Sequence, residues 1–354
     1  MESVDIKGKY IRERRKKYLW LFAGFVLTVI LGLCFMTMGE ASTGIHDILK
    51  AIYEWGFGNI SASPESAKYK IIMYMRFPRI VMAVVCGIGM ACAGASMQAV
   101  TRNPLVSPFT VGVSSAAAFG ASMCIVFAEN VFLKSEAGIV ICAFVSAMIC
   151  IAVVYAVSSK AGMNAETVVL SGIALNYFFS ALTATVEFFA QEHKLAAVVQ
   201  WTFGTFNGVT WTEVGITSAF VAVCTAVIQT NSLKLDIMAS GDDETAKSLG
   251  IEPKKIRAAV MVSSVLMTSA IISFTGVIGF VGLVAPHIAR IIAGGEHKFL
   301  LPFSALCGAL LLLCADTIGK TVLSPVSIPV GIVVSFIGVP LFIHLIIRNK
   351  RRYM

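Results

Sequence analysis

Ten apolar stretches, most of them long enough to cross a lipid bilayer, recur along the chain and leave little room for anything else. They lie near residues 19–38, 80–98, 107–127, 137–158, 167–190, 214–228, 258–274, 280–293, 300–315 and 330–347, and hold two charged residues between them, Glu187 and Arg290. A spanning helix needs about 20 predominantly apolar residues. Several of these runs are shorter or broken by Gly and Pro. Of the 354 residues, 57% are hydrophobic and 14% charged. Soluble domains carry roughly 45–50% apolar and about 25% charged residues. The pattern excludes a soluble enzyme, a disordered chain and a disulfide-stapled secreted domain. It predicts an all-α polytopic membrane protein with about ten transmembrane helices.

Charge sets the expected orientation. Seven of the 28 basic residues fall between Lys7 and Lys17 and four follow Ile347, so the net charge of +8 sits beside membrane spans. That placement points to topology and a membrane-lipid partner, with no nucleic acid. The basic start and apolar 19–38 run look like a signal peptide, but the run is long enough to span and no small-x-small site precedes Gly39. With ten spans and both termini cytoplasmic, the inner segments carry 20 basic residues and the outer ones 8. The expected layout is a basic cytoplasmic N-terminus (1–18), one transmembrane domain (19–347) with a long cytoplasmic loop at about 231–257, and a basic cytoplasmic C-terminus (348–354). Trp55 is a candidate interfacial anchor in the outer 39–70 segment. All nine cysteines lie in apolar runs and read as packing residues.

No catalytic constellation is legible. There is no G-x-x-x-x-G-K-[ST] loop for ATP phosphates. The acidic triplet Asp242, Asp243 and Glu244 reads as a helix N-terminus, since a magnesium site would need a second acidic motif. A short helix should follow it and stop at Gly250 and Pro253, with a second short helix beyond. A helix of this length needs a surface to dock on. His287, beside Pro286, is expected to bond freed backbone. Small residues from Gly87 to Gly94 suit close helix packing. Helix breaks are expected at Asn103, Pro104, Gly279 and Pro286, and interrupted spans are common in transporters. A secondary transporter would need intramembrane ionisable groups, for which Glu187 and Asp316 are the candidates.

The ordered set Arg76-Phe-Pro-Arg79, Gln98, Asn103-Pro104-Leu105 with Pro108, and Val111 to Ser114 resembles the permease family of bacterial ATP-binding-cassette importers of iron-siderophore complexes, haem and vitamin B12, the type II importers. So do Ser248-Leu-Gly250, Gly279 to Leu283 with Pro286, His287 and Arg290, Ala315-Asp316-Thr317, and Pro329 to Gly331 with Gly338 and Pro340. The resemblance implies a ten-helix fold like the vitamin B12 importer permease and a second permease copy, identical or paralogous. It also implies two ATPase subunits, an extracytoplasmic substrate-binding protein and an iron chelate as cargo. The chain itself would be neither an enzyme nor a holder of cofactor or metal. Haem or cobalamin is the alternative cargo. By the same resemblance Arg76, Arg79 and Lys320 would dock the binding protein, and Asp242, Asp243, Ala246, Leu249 and Gly250 would couple to the ATPase. Asn164, Ala165 and Glu166 would form the inner gate, where Glu166 replaces the family's small hydroxyl residues. Lys320 stands where the family usually has Arg, and Ser327 where it usually has Glu.

Overall fold

The structure, a computed structural model, describes residues 6–39, 43–57, 67–128 and 135–348. The basic tail expected at 348–354 lies outside these but for Arg348, as do the first five residues of the N-terminal segment. Among the described residues fourteen helices follow one another: α1 (Ile6–Thr37), α2 (Ile45–Phe57), α3 (Ala67–Thr101), α4 (Val113–Phe127), α5 (Glu136–Lys160), α6 (Ala165–Phe189) and α7 (Glu192–Thr202). Then come α8 (Trp211–Thr230), α9 (Ser232–Ser240), α10 (Asp243–Ser248), α11 (Pro253–Thr275), α12 (Val281–Ala293), α13 (His297–Thr321) and α14 (Val330–Arg348). Seven of them, α1, α3, α5, α6, α8, α11 and α13, are long and apolar enough to cross a membrane. Three shorter apolar helices, Val113–Phe127, Val281–Ala293 and Val330–His344, fall at expected spans.

Two boundaries differ from the sequence expectation. The third apolar run does not become helical until Val113, because Asn103, Pro104 and Pro108 hold 102–112 in turns. The second short helix expected after Pro253 is instead the first turn of α11, with Pro253 at its opening position, where the missing N–H costs nothing.

The core is built around α3 and α13, which run antiparallel. Gly87 faces Gly308, Cys92 lies against Leu301, and Arg79 meets Asp316. A Cβ on Gly87 would lie 2.3 Å from the Gly308 carbonyl oxygen. Only two glycines allow the backbones to approach this closely. One end of this bundle carries α9, α10 and the 162–166 turn. The other carries α2, Arg76, Arg79 and Asp316.

Proline explains three long-range polar contacts. Pro286 sits inside α12, so no break occurs there. Its missing N–H frees the Gly282 carbonyl four residues back, and that oxygen accepts from Gln98 Nε2 at 3.3 Å. Gln98 serves this freed carbonyl, and His287 packs edge-on to Phe342. Pro302 in α13 likewise frees the Lys298 carbonyl, which accepts from Gln229 Nε2 at 3.3 Å. Along the π-helical stretch Ile71–Arg76 the bonding runs five residues back, so Pro78 frees Met73; Trp211 Nε1 donates to that oxygen at 2.7 Å. Trp55, the candidate anchor, stacks on this same Trp211 with ring centroids 5.5 Å apart.

Leaving a buried carbonyl without a donor costs about 1–3 kcal/mol. Gln98→Leu should therefore lower the unfolding temperature of the detergent-purified protein. Adding Pro286→Ala, which restores the backbone donor, should recover part of that loss.

Candidate functional site

The 231–257 segment forms one end of the site. Asn231 opens α9, and Asp242 then caps α10 by accepting from the Thr245 amide at 2.7 Å. The Thr245 hydroxyl and amide together hold the Asp242 carboxyl below the usual carboxylate range. At its C-terminus the chain reverses through Gly250, whose φ of +76° places it in the left-handed region. The Gly250 amide bonds the Lys247 carbonyl and the Ile251 amide the Ala246 carbonyl, closing the turn.

Asp243 does not face outward. It pairs with Arg102 and with Arg257, the latter at 3.1 and 3.3 Å. Burial alone would raise the Asp243 carboxyl, but hydrogen bonding and charge from Arg257, with Arg102 beside it, hold it below its ordinary value. Arg257 is wholly buried and donates to the Val100 and Met163 carbonyls at 3.1 and 2.6 Å. Of the five residues expected to touch an ATPase, Ala246 is buried and Asp242, Asp243 and Gly250 are engaged in shaping the helix. Asp242 is exposed as well but spent on the cap, and Leu249, 61% exposed, presents an apolar side chain outward.

The residues expected at the gate stand beside it. Asn164 caps α6 through the Thr167 amide at 2.8 Å, Ala165 opens the helix and Glu166 is exposed in its first turn. A cleft of about 460 Å³ is lined by Asn164, Ala165 and Glu166 together with Asp242, Asp243, Glu244, Arg102 and Arg257. The fold thus joins two groups that lie some 80 residues apart in sequence. A second polar cleft, about 550 Å³, borders Asn103, Pro104, Arg290 and the pair Asp236–His297. Asp236 in α9 accepts from the His297 amide at 2.7 Å and lies 2.6 Å from its Nδ1, so it caps α13 from another helix. The sequence offered no signal for this pair or for Arg257.

At the opposite end the three expected docking cations have partners inside the fold. Arg79 grips Asp316 with its Nε and Nη2 at 2.8 Å each, and also reaches Asn207 and Ser327. Arg76 donates to the Met36 carbonyl at 2.6 Å and to Thr43. Lys320 reaches the Phe35 carbonyl at 3.3 Å. Asp316, only 2% exposed, serves as the counter-ion of Arg79; Glu187 is half-buried. Neither pattern forms the intramembrane relay that ion coupling would need.

Between the two ends lies a largely apolar cavity of about 600 Å³, lined by Phe109, Phe203, Phe280, Phe336 and Val339 around Gly279. Gly279 is the expected break that opens onto it, whereas Asn103 and Pro104 face the second polar cleft. Among the described residues no group of three His, Cys, Asp or Glu is placed to hold a metal ion.

The model of the FecCD transport family matches residues 26–348. The chain belongs to that family. It is 36% identical to an ABC transporter permease of Methanocaldococcus jannaschii over 99% of this chain and 100% of that protein. It is 34% identical to the Fe(3+)-citrate import system permease YfmD of Bacillus subtilis, covering 94% and 96%, and 30% identical to the hemin transport system permease of Yersinia pestis, covering 94% and 97%. A solved structure described as an inward-facing conformation of a metal-chelate type ABC transporter superposes with a TM-score of 0.80 at 29% identity, covering 93% of this chain and 98% of that one. The chain is therefore a membrane permease subunit of an ABC importer of the iron-chelate or haem type, and not itself catalytic. Permeases of this family work as dimers with ATPase subunits and a substrate-binding protein.

Two expected outcomes follow from the ion pairs. Asp316→Ala leaves the Arg79 guanidinium, 14% exposed, without its counter-ion and should destabilise by up to about 3–5 kcal/mol, whereas Asp316→Leu with Arg79→Met should restore much of the stability. Melting of the detergent-purified variants checks this. For Asp243, the lowered carboxyl contributes stability in full above the unfolded value of 3.8 and loses it as pH falls through the folded value. The melting temperature should fall in that acid window, and less steeply in Asp243→Asn.

Proposed function

We propose that the chain is the transmembrane subunit of an importer that carries an iron-siderophore complex across the cytoplasmic membrane. It crosses the membrane ten times, with the short helices α4, α12 and α14 completing the set and both termini cytoplasmic. The 20-to-8 division of basic residues supports that orientation. Two copies, identical or paralogous, enclose the pathway. Two ATPase subunits sit at the α10 end, and an extracytoplasmic binding protein sits at the Arg79 end. There the ion pair of Arg79 with Asp316 shapes the docking surface, while Arg76 and Lys320 add positive charge beside it.

One observation carries the reading of the inner end. The short helix α10 is held firmly from within by Asp243 and Arg257, yet shows the exposed Leu249 to the outside. An apolar side chain held out at the end of an anchored helix suits insertion into a partner's groove. Asn164, Ala165 and Glu166, in the adjoining cleft, then stand at the inner gate. For the cargo, the support is chemical class: a relative carries Fe(3+)-citrate in its name, another hemin. The apolar, aromatic-rimmed cavity offers a metal chelate a wall without strong ligands of its own, so cargo can leave as readily as it enters.

The test is uptake of radio-iron by the complete complex in proteoliposomes, with ferric siderophores, ferric citrate, haem and cobalamin as competitors. Competition by a siderophore complex at the lowest concentration is expected; competition by haem or cobalamin alone would overturn the siderophore assignment. In the same preparation Leu249→Asp should release the ATPase subunits. Full retention of the ATPase with normal uptake would remove α10 from that role.

A further inference from the structure

Arg257, in α11, is the largest side chain with no exposure in the described fold, and it bonds three other elements at once: the end of α3, the turn before α6, and α10. Its Nε serves the Val100 carbonyl near the end of α3, which would otherwise lack a donor because the helix stops at Thr101. Its Nη1 serves the Met163 carbonyl in the turn between α5 and α6, and Nη1 with Nη2 brackets the carboxylate of Asp243 in α10. A guanidinium can do this because it is planar and presents five donors in fixed directions. A lysine could reach one or two of these acceptors, never all of them at their present spacing.

The turn it holds is strained. Gly162 and Met163 are both left-handed, with φ of +94° and +55°. Among the described residues, three that are not glycine have positive φ: Arg102, Met163 and Phe280. The first two both belong to this cluster, Arg102 through its side chain on Asp243 and Met163 through its carbonyl on Arg257. Left-handed backbone at non-glycine positions persists only where the surroundings over-determine it. Here the surroundings are the Arg257 guanidinium on the Met163 carbonyl, the Met163 amide on the Ser158 carbonyl at 2.6 Å, and the burial of the Met163 side chain. Met163 is followed at once by Asn164, Ala165 and Glu166, so the strained turn sets where α6 begins and how the gate residues stand.

We infer that Arg257 is the positioning residue that fastens α10 to the 162–166 turn, so that a displacement of α10 by the ATPase is delivered to the gate. This rests on the reading of α10 as the ATPase contact and of 164–166 as the gate. The contact to Met163 is to backbone and short, so it transmits position without slack. The coupling calls for a second arrangement of the Gly162–Met163 turn, reached when α10, through Asp243, draws the Arg257 side chain of α11 off the Met163 carbonyl. Asp243 is the other half of the joint, because it is the point at which α10 takes hold of the guanidinium.

The test uses the complete complex of permease, ATPase and binding protein in proteoliposomes, with ferric siderophore as cargo. Arg257→Lys, Arg257→Met and Asp243→Asn are compared for subunit retention, ATP hydrolysed and iron taken up. Amide hydrogen exchange across 159–166 is followed with and without ATP. Uptake per ATP should fall roughly tenfold or more in Arg257→Lys and Asp243→Asn, within the usual range of coupling between sites. Exchange across 162–166 should rise and cease to respond to ATP, and the double variant should be no worse than Arg257→Lys alone. Unchanged uptake per ATP in either single variant, with exchange still responsive, would overturn the assignment. Should Arg257→Met fail to assemble, Asp243→Asn decides, since its amide keeps an acceptor of the same shape. The Leu249→Asp variant separates the two layers. If it keeps its ATPase and its uptake, the reading of α10 fails; if it is defective while Arg257→Lys is fully coupled, only the role of Arg257 fails.

Discussion

In hydrocarbon no water is at hand for an unpaired N–H or C=O, so each backbone group must find its partner inside the protein. The architecture of this permease follows from that constraint more than from any single contact. A bundle of helices meets it automatically except where proline removes a donor. At Pro78, Pro286 and Pro302 the freed carbonyl is served from another helix, by Trp211, Gln98 and Gln229 respectively. Each repair is also a tertiary link. It ties α3 to α8, α3 to α12 and α8 to α13, so the residues that weaken single helices become those that fix how helices sit together. The same logic accounts for Asp236, which caps α13 from α9.

Buried charge is arranged differently at the two ends. At one, Arg79 and Asp316 form a close pair with Asn207 and Ser327 taking up remaining donors. Such a pair stabilises little relative to an apolar substitute but costs heavily when halved, so it holds a particular geometry. At the other end, Arg257 and Arg102 share the single carboxylate of Asp243, and the surplus donors go to main-chain carbonyls. A guanidinium satisfied mostly by backbone is tied to the positions of loops rather than to other side chains. The first arrangement suits a fixed rim and the second a joint.

Much of this was legible in the sequence. Each of the ten apolar runs overlaps an apolar helix among the described residues, because a membrane segment cannot hide its composition, although α1 and α3 begin 13 residues before their runs and α4 six residues after its own. Asp242 as a helix cap, Gly250 as the stop and Asn103 as the site of a broken run also follow from local chemistry, and all three appear as expected. What the sequence concealed were relations between distant residues. Nothing near Arg257 announces that it is buried, since a basic residue beside Lys254 and Lys255 reads as one more charge at a membrane boundary. Asp243 reads as a helix-dipole residue, which it is, but its two arginine partners come from 141 residues upstream and 14 downstream. Pro286 signalled a break in the chain; Gln98, 188 residues earlier, is what prevents one.

The two ends are joined by a stiff member. Helix α13 runs from His297, which Asp236 of α9 caps, past Asp316 near its end, and 25 residues of α-helix extend about 37 Å, enough to cross the bilayer core. It is fastened at its start by the capping carboxylate of Asp236, at mid-length by the Gly87–Gly308 approach to α3, and at its end by Arg79 on Asp316 and Lys320 on Phe35. α3 shares the middle and far fastenings, so these two helices form a strut whose parts cannot shift separately. By contrast, the start of α6 is set by the left-handed turn at Met163, and α10 is small and held mainly through Asp243. Stiffness along the strut and compliance beside it divide the labour: the strut keeps the two polar ends of the fold in register, and under the coupling proposed for Arg257 the motion falls on the turn before α6.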